Sequence, residues 1–466
     1  MSKSAAPLPE NFLTRMEALL GCEYPAFIDS YTLPVRSALR VNQLRAGIED
    51  LRAVLPWQAE SIPWCPAGLT ISPEHRPGKH PFHAAGLYYL QEPSAMAVAE
   101  VLDVRPGHLV LDVSAAPGGK ATHLASLLLG EGVLVANDPI PGRIKALGEN
   151  LERWGARNAV ITNSPVAGLA AAWPGVFDRV LADAPCSGEG MFRKSSVARQ
   201  EWSEEHVQGC AVRQDLLLNE AATMVKPGGL LLYSTCTFAP EENEQQICRF
   251  LARRPEWELV DIPKSAGLCP GRVDWAENSC DADVSRMARI WPHLAPGEGH
   301  AMALLRAPAT RHTVSDGQER TTASAPGEHT PAEKLVALWD RFRDQNLPRF
   351  DPQGALIQRG EQLFLLPEGT PPLNGVRVVR PGLPLGRMRP GRFEPSHALA
   401  LAAPADTATH GVALSDEDVV RYLHGETVTA PGPPGWVLIT THQFGLGWGK
   451  RSGNVVKNHY PKGLRW

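Results

Sequence analysis

LVLDVSAAPGGKATHLASLLL, residues 109–129, changes character twice within one short stretch. The apolar run 109–113 has the length and composition of a buried strand. Ser114, Ala115, Ala116, Pro117, Gly118 and Gly119 then turn the chain with almost no side-chain bulk, and a helix opens near Lys120. Such a turn sets backbone N–H groups against a ligand at the carboxyl end of a strand. It is not a phosphate loop, because Ser114 stands where GxxxxGK needs its first glycine, and no GxGxxG is present. A nucleotide-like ligand without a tightly held pyrophosphate fits better.

The chain on the far side of this motif alternates in the same way. VLVAN (133–137) precedes the helical GRIKALGENLERWG, FDRVLAD (177–183) precedes a long helical run through 204–225, and LLLYS (230–234) precedes EENEQQICRFLARR. Strand and helix in alternation predict an α/β fold with a parallel, doubly wound, Rossmann-like sheet. Asp138, in VANDPIPGR at the end of the second strand, is placed to accept both ribose hydroxyls of a nucleotide-like ligand, and Arg143 follows on the next helix.

Composition sets the frame around that sheet. With 466 residues, 43% of them hydrophobic, the chain is large enough for two to four domains, and a formal net charge of −4 leaves any polyanion to local basic patches. Eight cysteines form no CxxC, and His206 with Cys210 lacks further ligands at zinc-site spacing, so no metal is expected. The cysteine usage suits a reducing compartment, and the absence of a signal sequence or a membrane-length apolar window suits the cytoplasm. Residues 1–85 read as an accessory region, 86–306 as the catalytic sheet, 307–333 as a Thr/Ser/Ala/Pro-rich linker, and 334–466 as a separate C-terminal module.

Two cysteines stand out against this frame. LADAPCSGEGMF (181–192) runs from a strand through Asp183 into Cys186, and LLLYSTCTFAPEENE (230–244) runs from the next strand into Cys236. A lone thiol is most often a small core hydrophobe. Two of them in polar turns at adjacent strand ends, near a carboxylate, point instead to nucleophilic chemistry on an electron-poor carbon.

SAAPGGK, DAPCSGEGMF and STCTFAPEENE resemble the cofactor loop and the two cysteine motifs of the Sun-type RNA cytosine carbon-5 methyltransferases. The similarity runs from LRVN (39–42) and YLQEPSAMA (89–97) to RIWPHLAPGEGHAMALLR (289–306). GRFEPSHALAL (391–401) and GWGKRSGNVVKNHYPKGLRW (447–466) resemble the bacterial 16S rRNA, RsmF-like branch. The resemblance implies a class I methyltransferase domain using S-adenosylmethionine, with Cys236 attacking cytosine carbon-6 and Cys186 assisting breakdown of the adduct. Asp183 would hold the cytosine edge beside the cofactor, and a small N-terminal region and a C-terminal α+β, PUA-like RNA-binding module would complete a monomer. The partner implied is 16S rRNA or the small ribosomal subunit. A tRNA-directed enzyme of the same chemistry and a non-catalytic ribosome-assembly factor are the alternatives; paired thiols argue against the second. An amino-group methyltransferase is expected to carry an Asp/Asn-Pro-Pro-Tyr type motif where this chain has DAPC.

One position departs from the family pattern. VITNSPVAG (160–168) has Pro165 where an acidic residue contacts adenine, leaving that work to Asn163, Ser164 or backbone. Phosphate contacts are expected from Arg193 and Lys194 beside the DAPC motif, and from Lys450, Arg451, Lys457 and Lys462 in a tail with no acidic residue after Glu426, where aromatic rings can stack on bases.

Overall fold

The computed structural model describes residues 7–466 except 36, 73, 278–279 and 311–329, so most of the 307–333 linker lies outside the described residues. Five parallel strands form the middle of a ten-stranded sheet, in the order Val225–Thr235, Phe177–Asp183, Leu109–Asp112, Val133–Asn137, Ala159–Thr162. His300–Arg306 adds antiparallel to Val225–Thr235 at one side. From Leu109–Asp112 the chain builds outward one way, then crosses over and builds the other way. The strand order therefore reverses beside Leu109–Asp112, which opens a crevice at the carboxyl ends of the strands where the small-residue loop emerges.

The parallel strands are apolar because both faces are covered. Val133 and Val135 pack into one hydrophobic cluster while Leu134 and Ala136 pack into the other, the two-residue period of a strand buried on both sides. Helix Pro141–Trp154 starts with proline at its first position and stops at Gly155, whose φ of 71° suits a residue without a side chain. A Cβ on Gly155 would also lie 2.7 Å from the Leu401 carbonyl oxygen. The glycine thus ends one helix and admits another, His397–Ala402, against it.

That contact corrects the picture of a module merely tethered by its linker. Val378–Arg380 pairs antiparallel with Ala159–Thr162, extending the catalytic sheet from the C-terminal part of the chain. The N-terminal four-stranded sheet (Ala59–Ile62, Cys65–Ile71, Ser37–Val41, Tyr88–Leu90) shares one core with the C-terminal five-stranded sheet. Leu39, Leu69 and Tyr88 pack in the same cluster as Tyr422, Val437, Leu446 and Val456. A second C-terminal sheet, of four strands, packs under helix Glu333–Asn346. The reducing-compartment reading leaves cysteines unpaired, whereas the structure joins Cys248 to Cys280. Among the described residues, no helix is long and apolar enough to cross a membrane.

Candidate functional site

The loop after Leu109–Asp112 is held by groups from every side, as a backbone turn with few side chains must be. Ala115 N–H donates to the Asn137 carbonyl at 2.7 Å and Ala116 N–H to Asp138 Oδ2 at 3.2 Å. Asn150 donates to the Pro117 carbonyl at 2.7 Å, and the Arg143 guanidinium donates to the Ala116 carbonyl. Gly118, with φ of 118°, caps helix Gly119–Leu127. Arg40, fully buried over the Trp154 ring, donates to the Gly119 carbonyl and to Thr122 Oγ1.

Asp138 lies where the sequence places it, against the loop, but its side chain is 0% exposed. It accepts from the Ala116 and Ile140 N–H groups and pairs with Arg143 at 3.2 Å. A carboxylate has about four lone-pair directions, so at most one remains for a ligand hydroxyl, not the two expected from the sequence. Asp112, under the loop, accepts from Ser114 N–H through one oxygen and has no partner among the described residues for the other. Burial, with the Asp183 charge adding to it, pushes Asp112 up to about 8, so it holds a proton at neutral pH.

Asp183 closes the strand Phe177–Asp183. It accepts from Lys120 Nζ at 2.8 Å and from Ser234 Oγ at 2.7 Å, and His300 Nε2 stands 3.9 Å away. Burial alone would raise its pKa, yet the Lys120 and His300 side chains outweigh burial and hold it well below the usual carboxylate range. Burial disfavours the Lys120 charge, but Asp183 wins there too and raises it. The pair is ionised on both sides.

Cys186 Sγ and Cys236 Sγ are 3.2 Å apart. The hydrogen bond to Cys236, then burial, raises Cys186 well above an ordinary thiol, so its proton stays on sulfur. Ser114, Arg143, Asp183, Cys186 and Cys236 line one cavity of about 370 Å³. Its far wall comes from residues that sequence reasoning missed: Met191, Ser195, Ala198, Glu201 and His206. Only tertiary folding brings that segment over the thiols. Cys65, Glu100 and His123 also gather within 4.8 Å of one another, but Arg40 acts electrostatically on all three, which sets a fixed positive charge against a cation.

Two of the expected phosphate contacts are corrected. Arg193 is internal: its guanidinium bonds both oxygens of Glu298 and the Ser30 carbonyl, with side-chain exposures of 8% and 3% in the ion pair. Arg451 is buried and donates to the Pro433 carbonyl. Lys194 stands 4.0 Å from Glu298, and Lys450 lies over the Trp436 ring at 5.5 Å. Lys457 and Lys462 are exposed. Arg193→Ala is therefore expected to destabilise the fold by about 3–5 kcal/mol, since it strands a buried carboxylate. Denaturant melts should show that loss while the salt dependence of RNA binding stays unchanged.

Comparison with known proteins covers the chain end to end. A family described as 16S rRNA methyltransferase RsmB/F matches residues 99–306, and the N-terminal domain of 16S rRNA methyltransferase RsmF matches 8–93. The RsmF first C-terminal domain matches 341–402 and the RsmF PUA domain 409–466. Ribosomal RNA small subunit methyltransferase F of Erwinia tasmaniensis is 32% identical over 98% of this chain and 96% of its own, and that of Shewanella loihica 33% identical over 94% and 91%. A crystallised methyltransferase homolog from Pyrococcus horikoshii is 28% identical, with a TM-score of 0.57 over 64% of this chain and 95% of its own. NSun6 from the same organism, solved with SFG, shares the fold at 21% identity, with a TM-score of 0.56 over 65% and 99%. The sequence identity over nearly the whole length, the four matched domains and the sheet with its small-residue loop agree: the chain belongs to the RsmF family of 16S rRNA methyltransferases.

Proposed function

We propose that this chain methylates carbon-5 of a cytosine in 16S rRNA, using S-adenosylmethionine as donor and Cys236 as nucleophile. The observation that carries the reading is the contact of the two thiols beside the ionised Asp183, in one cavity with the small-residue loop. The loop residues fit the donor: Asp112 Oδ2, buried beneath the loop without a partner, suits a cationic ligand that draws off its proton, and Asp138 suits the ribose end. Asn163 and Ser164, both buried beyond Asp138, are proposed for the adenine end.

When bound, the donor supplies an electrophilic methyl group on a cationic sulfur. The remaining steps belong to the chain. Cys236 adds to carbon-6, forming an S–C bond and sending an electron pair into the ring, which makes carbon-5 enamine-like and able to take the methyl group. Asp183, held charged by Lys120, accepts a hydrogen bond from the ring's nitrogen edge, which takes up the proton that Cys236 gives up as its sulfur adds. Carbon-5 then releases its proton to a base, the freed electron pair restores the carbon-5–carbon-6 double bond, the S–C bond breaks, and Cys236 leaves as thiolate and takes back its proton from the ring's nitrogen edge. Cys186, which keeps its own proton, donates a hydrogen bond to that departing sulfur.

Bisulfite sequencing of 16S rRNA from cells lacking the gene tests the reading: one cytosine should lose its protection and regain it on complementation. Loss of protection confined to tRNA would overturn the rRNA assignment.

The exposed tail lysines are proposed as phosphate contacts. Lys457→Ala combined with Lys462→Ala should flatten the slope of log affinity against log salt by roughly 1.4, at about 0.7 per single-strand contact. Titrations at several salt concentrations measure this, and an unchanged slope returns both residues to a solvated face.

A further inference from the structure

Two fully buried glutamates, Glu189 and Glu242, lie just downstream of the two cysteines, and each reaches across to the other cysteine's turn. Glu242 follows Cys236 in the chain, yet its Oε2 accepts from the N–H of Ser187, the residue after Cys186, at 3.1 Å. The same oxygen accepts from Gln214 Nε2 at 2.6 Å, and that amide also donates to the Pro185 carbonyl at 3.0 Å. The Cys186 turn is thereby held on both sides of its sulfur. Glu189 follows Cys186, yet its Oε2 accepts from Phe238 N–H at 2.8 Å and from Thr237 Oγ1 at 2.9 Å. Its Oε1 accepts from Trp202 Nε1 at 3.0 Å. Ser187 Oγ and Thr237 Oγ1, one residue beyond each cysteine, meet at 2.7 Å, and Gly190 N–H donates to the Cys236 carbonyl.

Burying two carboxylates near each other is unfavourable by desolvation and by repulsion. Burial pushes Glu242 up to about 7, with Glu189 adding to it, and burial raises Glu189 as well. Apolar residues of similar size would avoid that desolvation and repulsion. What they could not do is accept the N–H groups that fix the two turns.

We propose that Glu189 and Glu242 are reciprocal positioning residues, Glu242 for Cys186 and Glu189 for Cys236, which together keep the two sulfurs in contact through both halves of the reaction. The proposal rests on the roles given above to Cys236 and Cys186. Exchange of the two carboxylates between the two segments has a functional consequence: neither thiol can be placed unless the other's segment is in place.

The test uses full-length Glu242→Ala, Glu242→Gln, Glu189→Ala and Glu189→Gln beside Cys186→Ala, with 16S rRNA and S-adenosylmethionine. Melting temperature, cofactor affinity, the rate of adduct formation and the amount of denaturant-resistant protein–RNA species are measured for each. Glu242→Ala should slow adduct resolution about 10- to 100-fold and accumulate adduct, as misplacement of a reacting group by about 1 Å does. Glu189→Ala should slow adduct formation by a similar factor and accumulate none. Glu242→Gln keeps the oxygen that accepts from Ser187 and Gln214 and should come within severalfold of the native rates. Glu189→Gln keeps an acceptor for Phe238 N–H but sets its amide NH2 against the Trp202 donor, so its rate should fall between those of Glu189→Ala and the native protein. The proposal is overturned if the two Ala variants behave alike, losing melting temperature and cofactor affinity together, or if Glu242→Gln fails as badly as Glu242→Ala. It is also overturned if Cys186→Ala accumulates adduct while Glu242→Ala resolves at the native rate. Should Cys186→Ala itself leave no adduct, the reading of Cys186 fails, and the Glu189 arm decides: slowed formation with intact affinity supports the positioning role, and native formation overturns it.

Discussion

Cys236→Ala is expected to lower methyl transfer by about four orders of magnitude or more while cofactor affinity stays within about twofold. The sulfur sits at the end of Val225–Thr235, two strands away from the loop that follows Leu109–Asp112, and no loop hydrogen bond runs through its side chain. The Cys236 backbone carbonyl, which accepts from Gly190, survives the substitution, so the turn keeps its shape. Transfer of a labelled methyl group to 16S rRNA, with calorimetry of S-adenosylmethionine binding as control, gives the two numbers. Methylation near the native rate would sink the nucleophile assignment.

Cys186→Ala should act later. The variant is expected to form the adduct and then stall, so that a protein–RNA species resistant to denaturant accumulates and turnover falls by about 100- to 1,000-fold. The surroundings of Cys186 support this order. The contact with Cys236 and burial both keep the proton on Cys186, which suits a donor to a departing thiolate and not an attacking group. Adding Cys236→Ala to the variant should remove the species. If gels show the trapped band with the Cys236 variant and not with the Cys186 variant, the two roles are exchanged.

The parts of this site that are local in the chain are legible from the chain. A strand, a turn without side chains and a helix occupy contiguous residues, so LVLDVSAAPGGKATHLA announces both its backbone and its position at the sheet edge. The two cysteine turns follow from the same logic, each a strand running into polar residues. Charges are different, because whether a cation is free depends on what the fold brings to it. Arg193 reads as a phosphate ligand beside the catalytic motif, and only tertiary structure supplies Glu298 from a distant segment to claim it. Lys120 is visible as a loop residue, whereas its partner Asp183 is not visible as one. Val378–Arg380 is too short, set between Arg377 and Pro381, to announce itself as a strand. It becomes one because Ala159–Thr162 offers an unpaired edge. The two glutamates stood inside quoted motifs, EGMF and APEENE, but nothing in a linear reading says that each belongs to the other motif's cysteine.

The late strand also bears on when the enzyme comes into being during its own synthesis. Ala159–Thr162 is made early and receives its outer neighbour, Val378–Arg380, only after the linker has been translated. The N-terminal sheet waits longer still, since its core is completed by residues from Val412 to Tyr460. At elongation rates of about 5–20 residues per second, the nascent chain carries an open sheet edge and uncovered apolar surface for on the order of ten seconds or more. Truncation before Val378 leaves that state permanent. Residues from Val412 to Tyr460 thus close a core that Leu39, Leu69 and Tyr88 open.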